Sequence, residues 1–170
     1  MLSWMNDAQS VRYLGSGFQK KRTLEDVQDL ISLTLDGEFT GETWAIADAD
    51  SNEYLGECRL MLPDKASRRA EVAIVLLPKA RGRGLGRQAL TLLLKRAFCE
   101  LQYNRLYLYC AAENLPAKLL YESVGFALEG RLRSHMALND GALTDVLVYG
   151  LLRDEYAARQ TLEKRPEKEP

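Results

Sequence analysis

Apolar residues recur at helical spacing in the first stretch of the chain. Trp4, Ala8, Val11 and Leu14 follow one another at intervals of four, three and three, which predicts a helix over residues 3–14. Gly15-Ser16-Gly17 ends it. Thr23, with Asp26 three positions on, resembles an N-cap pair opening TLEDVQDLISLTL, whose Val27, Leu30, Ile31 and Leu35 form one apolar face. From Thr43 the period shortens. WAIAD, YLGECRLML and EVAIVLL are brief apolar runs separated by the turn-like DADSN and PDKASRR, and they read as an antiparallel meander. A helix is predicted from about Arg87 to Leu101, burying Ala89, Leu90, Leu93, Leu94 and Ala97. RLYLYCA then reads as a strand, LPAKLLYESVG as a short helix and FALEGRLRSHMAL as another strand. Asn139-Asp140-Gly141 is a turn signal leading into TDVLVYGLL, which completes a hairpin. The order predicts an α/β fold: a mixed central sheet with an antiparallel meander, flanking helices and a C-terminal hairpin.

No repeat or low-complexity linker divides the chain. Residues 1–156 are expected to form one domain, and residues 157–170, ending RPEKEP, a polar C-terminal tail. A length of 170 residues is enough for one continuous core, and 46% apolar with 28% charged residues is globular composition. The net charge of -1 provides no steering towards nucleic acid or an anionic membrane, so neither partner is expected. No run approaches the ~18 apolar residues of a membrane span. The start, MLSWMNDAQS, lacks the basic-then-apolar pattern of a signal peptide. Cys58, Cys99 and Cys110 are far apart and odd in number, and His135 is the single histidine. That excludes a disulfide framework, a His-rich metal site and a Ser-His-Asp triad, and the cysteines read as small buried thiols. A cytoplasmic, metal-free protein is expected.

The chemistry concentrates between Glu71 and Ala89. An apolar strand runs into Arg81-Gly82-Arg83-Gly84-Leu85-Gly86, and a long helix begins where the glycines end. Glycines let backbone approach a ligand closely, and a helix N-terminus adds unsatisfied N–H donors and a positive dipole end. Arg81, Arg83 and Arg87 add formal charge at the same place, so the stretch suits a phosphate or pyrophosphate. It is not a P-loop, because Gly86 is followed by Arg87 and Gln88, and glycines at every second position do not make a Rossmann fingerprint. An ordinary glycine-rich turn ringed by solvated arginines is the alternative.

Those residues resemble the Q/R-x-x-G-x-G/A signature of the GNAT acetyltransferases, which in that family cradles the pyrophosphate of coenzyme A. A second block agrees: Asn114, Ala117, Leu120-Tyr121 and Gly125-Phe126 are similar to the family's N-x-x-A-x-x-x-Y-x-x-x-G-F stretch. EGRLRSHMALNDGALTDVLVYGLLRDEY and the opening SWMNDAQSVRYLG look like the subgroup that holds spermidine, ribosomal-protein N-terminal and amino-sugar acetyltransferases. In that family a β-strand and most of a helix precede this point. The resemblance therefore implies a sheet without its usual first strand. An edge left uncovered is expected to be closed by a homodimer.

The resemblance implies an acetyl-CoA-dependent N-acetyltransferase that transfers acetyl directly to the primary amine of a small molecule, of the polyamine or amino-sugar class. Acetylation of a protein N-terminus and a GNAT-like module that binds acetyl-CoA without turnover are the alternatives. An alkyl ammonium, pKa about 10.4, must lose a proton before it can attack. Glu71, which opens the strand leading into the glycine loop, is the candidate base. A carboxylate merely paired with Arg68 or Arg69 is the competing reading; Glu57 is the reserve, and a water relay is a further route. By resemblance, a bulge splays this strand, and the backbone of Ile74, Val75 and Leu76 pairs with the pantetheine arm. Gly82, Gly84, Leu85, Gly86 and the three arginines would hold the pyrophosphate. Tyr121 would protonate the departing thiolate, or else be a core tyrosine under the Gly-Phe turn. Asn114 would bond the cofactor arm, or else simply cap its helix. Trp44, Tyr107, Tyr109 and Tyr149 read as core, and Glu38, Glu42 and Glu57 as acids that could attract a polycation.

Overall fold

The computed structural model describes residues 1–14, 20–35, 41–138 and 140–163. Two short helices, α1 (Leu2–Met5) and α2 (Ala8–Val11), stand where one helix over residues 3–14 is expected. Local polar side chains break it. Asp7 accepts from the backbone N and Oγ of Ser10, which starts α2 afresh. Asn6 exchanges hydrogen bonds with the backbone of Arg22, 16 positions away. Such side chains compete with helical backbone bonding. The turn at Gly15-Ser16-Gly17 lies outside the described residues.

Thr23 and Asp26 form the expected cap of α3 (Leu24–Leu35): Asp26 N donates to Thr23 Oγ1, and Thr23 N donates back to the Asp26 carboxylate. Its apolar face is only partly used. Val27 is buried, whereas Ile31 is exposed.

The sheet comprises β1 (Gly41–Ala47), β2 (Tyr54–Asp64), β3 (Arg69–Leu76), β4 (Arg105–Ala111), β5 (Ala127–Ala137) and β6 (Leu143–Leu152) in the order β1-β2-β3-β4-β6-β5. The meander and the hairpin are antiparallel; β3 and β4 pair in parallel. Among the described residues no strand lies outside β1, which forms one edge.

Alternation assigns the two faces. Cys58 and Leu60 of β2, Val72 of β3, Leu106 and Leu108 of β4, and Leu147 and Tyr149 of β6 bury into one cluster. This cluster packs against α4 (Leu85–Lys95), the π-helical turn Arg96–Glu100, α5 (Leu115–Val124) and Tyr156 of α6 (Arg153–Glu163). A second cluster of Trp4, Met5, Val11 and Val27 lies with Tyr54, Val75 and Leu77 on the other face. The helix α6 continues to Glu163, through residues expected to be a polar tail. Tertiary contacts hold it: Tyr156 stacks on Phe98 at 5.0 Å, and Arg159 donates to the Ser123 carbonyl. Most side chains of this segment are polar or small, so its composition alone does not signal order; one aromatic ring anchors the helix.

Candidate active site

The parallel ladder between β3 and β4 is short. It joins Arg69 to Arg105, Ala70 to Leu106 and Glu71 to Tyr107, and there it stops. Beyond Glu71, β3 pairs only with β2, and β4 only with β6. The two strands diverge into a cleft with Glu71 at its vertex. The backbone of Ile74, Val75 and Leu76 forms one wall. The other is β4 from Leu108 to Ala111. The bulge expected on β3 is on β2: the register shifts between Met61 and Asp64, opposite Glu71, with Leu62 at φ 47°. The divergence itself is a loss of pairing between β3 and β4.

Glu71 is half-buried and forms no ion pair among the described residues; its neighbour Arg69 pairs with Asp64 at 3.2 Å instead. Burial pushes its carboxyl above the ordinary carboxylate range, which makes it a better proton acceptor than a surface glutamate. Glu57, the reserve base, is bonded to its neighbours: it is 4% exposed, pairs with Arg59 and accepts from the Tyr54 hydroxyl at 3.0 Å. Glu42 is likewise paired with Arg96. Both acids thus already have a cationic partner; Glu38 lies outside the described residues.

The glycine loop follows β3 through a 3-10 turn, Pro78–Ala80. Gly82 and Gly84 have φ of 71° and 78°, the left-handed region, and a β-carbon built on either meets nothing within 4 Å. Open space therefore lies directly over this backbone. Gly84 is the N-cap of α4 and has no side chain to satisfy the first-turn N–H groups of Leu85, Gly86 and Arg87. The first-turn donors and the dipole end of an eleven-residue helix thus lie beside that space.

Gly86 has a different role from its neighbours. It is buried, and a β-carbon there would come within 3.0 Å of Leu120 and 3.3 Å of Leu76, so its lack of a side chain lets α4 sit against α5 and β3. Arg81 is also committed. Its Nε donates to the Leu76 carbonyl at 3.1 Å and its Nη2 to Ser10 Oγ at 2.9 Å, tying the loop to α2. Arg83 and Arg87 are exposed beside the loop.

Tyr121 sits on α5, 7% exposed, its ring 6.2 Å from both Phe126 and Tyr149. The Gly-Phe turn does pack against it, with Phe126 N donating to the Tyr121 carbonyl. Its hydroxyl has no hydrogen-bond partner among the described residues, unlike that of Tyr149, which donates to Glu122 at 2.9 Å. Burial raises the Tyr121 phenol well above its ordinary value, so it stays protonated across the physiological range. Asn114 caps α5 through Oδ1, which accepts from Ala117 N at 3.3 Å, and this leaves its amide N–H groups for other partners.

A second cleft of ≈ 350 Å³ opens at the far end of β4. It is lined by Tyr13, Tyr109, Cys110, Ala111, His135, Met136, Ala137 and Val146, and so shares the β4 wall of the first. Tyr109 is 48% exposed, not core as its strand context suggests, whereas Tyr149 is 1% exposed. The alternation in RLYLYC held the signal: Leu106, Leu108 and Cys110 point inward, and the tyrosines between them to the other face. Nothing local in the sequence signals Tyr13 or His135, which the fold brings there from distant segments.

A family model, the acetyltransferase (GNAT) domain, matches residues 1–127. The chain belongs to the GNAT acetyltransferase family. As a GNAT protein it is an N-acetyltransferase. It is 29% identical over 136 residues to the N-acetyltransferase p20 of Bacillus licheniformis, covering 79% of this chain and 76% of that protein. It is 32% identical over 116 residues to a spermidine N(1)-acetyltransferase of Vibrio cholerae, covering 68% of this chain and 66% of that enzyme. The matched stretch thus spans about two thirds of that enzyme's length. The GNAT fold is shared with the crystal structure of the Vibrio cholerae spermidine N-acetyltransferase in complex with CoA and spermine: TM-score 0.81 at 24% identity, over 92% of this chain and 89% of that one. A point mutant of the Vibrio cholerae enzyme superposes with TM-score 0.76 at 26% identity over 94% of both chains. Among the described residues no helix is long and apolar enough to cross a membrane.

Proposed function

We propose that this GNAT enzyme binds acetyl-CoA in the cleft between β3 and β4 and transfers acetyl directly to the primary amine of a small molecule in the cytoplasm. The observation that carries the reading is the divergence of the two strands at Glu71, with the open, donor-lined glycine loop at one end of the cleft. The pyrophosphate takes the N–H groups of Gly82 to Arg87, and the pantetheine arm pairs with Ile74, Val75 and Leu76 as an added strand does. Asn114 donates its amide to the same arm. Glu71 removes the ammonium proton, the amine adds to the thioester carbonyl, the C–S bond breaks as the intermediate collapses, Tyr121 protonates the leaving thiolate, and the proton shed by the acylated nitrogen restores the phenol. Holding both reactants in one complex supplies much of the acceleration. The three free thiols, Cys58, Cys99 and Cys110, suit a reducing compartment.

The test is thiol release from acetyl-CoA across a panel of primary amines, with Glu71→Gln run beside the wild type. The amide cannot accept the proton, so kcat is expected to fall by at least ~100-fold, most severely at low pH where the amine is most protonated. The same substitution is expected to change stability in the opposite sense. A raised carboxyl pKa means that the folded chain holds its proton more tightly than the unfolded chain. The resulting penalty is absent below the ordinary carboxylate range and grows as pH rises through the raised value. Glu71→Gln therefore raises Tm at pH 8 and leaves it unchanged at pH 4. Release with no amine above background in the wild type would overturn the function; unchanged kcat in the variant would overturn the base.

We also propose a homodimer. The edge strand β1 supports it, and the Vibrio cholerae spermidine N-acetyltransferase, 27% identical, has been described as a dodecamer. Light scattering giving the monomer mass at micromolar concentration would contradict it.

A further inference from the structure

The cleft between Tyr13 and β5 is built by an irregularity in the hairpin. Between the pairs Leu132–Val146 and Met136–Thr144, β5 advances four residues while β6 advances two. The excess is accommodated by Ser134 in the left-handed region at φ 47°. Asp145 of β6 pins it, accepting from Ser134 N at 2.7 Å and from Arg131 Nε at 2.5 Å. Bulges of this kind re-aim side chains, and backbone strain on a non-glycine residue is kept where a site needs it. Here the result is that His135 and Met136 line the cleft beside Tyr109.

The lining is aromatic and apolar, with His135 its only strongly polar ring; among the described residues no carboxylate lines it. Cationic groups stand on the surrounding elements, whose acids Glu122 and Glu129 are engaged by Tyr149 and Arg105. Arg12 lies 5.3 Å over the Tyr13 ring, Lys118 of α5 bears on the Cys110 thiol, and Arg131 and Arg133 flank Asp145. The Asp145 carboxylate is already engaged by Arg131 and the Ser134 backbone.

We propose that this cleft holds the acceptor and that His135 sets its selectivity: it takes an amine whose body is uncharged and can lie against tyrosine, and it turns away polyamines. The inference rests on the proposed acyl transfer, with the reactive amine reaching the Glu71 end of the shared β4 wall. A second ammonium on the acceptor would lose water in this cleft without gaining a carboxylate from the described residues that line it. Cation–π attraction, with Arg12 already over the Tyr13 ring and Tyr109 half exposed to water, is weaker than the hydration the ammonium gives up. Rejection by uncompensated charge is a means of specificity as effective as an added contact.

Two measurements test this. In the first, kcat/KM is compared for 2-phenylethylamine and spermidine with the wild type and His135→Asp. The wild type is expected to prefer 2-phenylethylamine by more than ~10-fold. His135→Asp is expected to shift that ratio ~10-fold towards spermidine, with the KM for acetyl-CoA unchanged, because one carboxylate facing one ammonium contributes on the order of a charge-assisted hydrogen bond. His135 is exposed, so the variant keeps the fold. The second needs no turnover. His135 is the only histidine, so its imidazole ring-proton resonances are assigned by inspection. With coenzyme A saturating, 2-phenylethylamine is expected to move them and spermidine to leave them in place. Spermidine moving the resonances more than the monoamine, or an unchanged ratio in His135→Asp, overturns the proposal. Absence of turnover with every amine overturns the enzymatic reading instead, and the resonance titration still decides what this cleft binds.

Discussion

Gly84→Val is expected to weaken coenzyme A binding at least ~100-fold while the protein stays folded. A loss of that size corresponds to about 2.7 kcal/mol, which two lost charge-assisted hydrogen bonds to phosphate would account for. Gly84 is at φ 78° and caps α4 without a side chain, and a β-carbon at that position points into open space. In the free protein the added β-carbon touches nothing. Its cost is the left-handed backbone, about 1–2 kcal/mol, against a stability of about 5–15 kcal/mol for a domain. With ligand present, the same group occupies the volume through which the pyrophosphate must approach the N–H groups of Leu85, Gly86 and Arg87. Calorimetry with coenzyme A gives the affinity, and thermal unfolding shows that the fold survives. Equal affinity in wild type and variant would remove the glycine loop from the site.

Tyr121→Phe is expected to lower kcat ~100- to 1,000-fold, within the range for loss of a positioned acid, with less than a threefold change in the KM for acetyl-CoA. The ring packs against Phe126 and Tyr149, and phenylalanine keeps those contacts. The hydroxyl has no partner among the described residues, so its removal leaves no buried group unsatisfied and Tm is expected to stay within a degree or two. A stable variant with lost turnover separates proton donation from packing. Steady-state kinetics with acetyl-CoA as the varied substrate makes the distinction. A wild-type kcat would assign Tyr121 to the core alone.

Much of this architecture was legible in the residues because local and global preferences agree. The period-2 runs of β1, β2 and β3 and the apolar stripe of α4 each specify an element by themselves. The glycine loop was legible for the same reason: a strand, three glycines and a helix start are a local pattern. What escaped depends on contacts between distant segments. Asn6 clamps Arg22 and Asp7 caps Ser10, so a helical spacing becomes two short helices. The ring of Tyr156 on Phe98 anchors a helix that runs to Glu163, into the segment that composition reads as a polar tail. By sequence Arg81 is one of three phosphate-binding charges, yet Ser10, 71 positions away, and the Leu76 carbonyl engage it. His135 carries no pattern at all. A register shift in β5 and the placement of α2 bring it and Tyr13 to one cleft.

The proposed site places coenzyme A between β3 and β4, with its pyrophosphate on the N-terminus of α4. Amide hydrogen exchange on the wild-type protein, with and without saturating coenzyme A, tests it at the backbone groups concerned. Slowed exchange is expected at Gly82 to Arg87 and within Ile74 to Leu76, with no change along β1 on the opposite side of β2. Unchanged exchange in the glycine loop, or protection appearing only elsewhere, would contradict it.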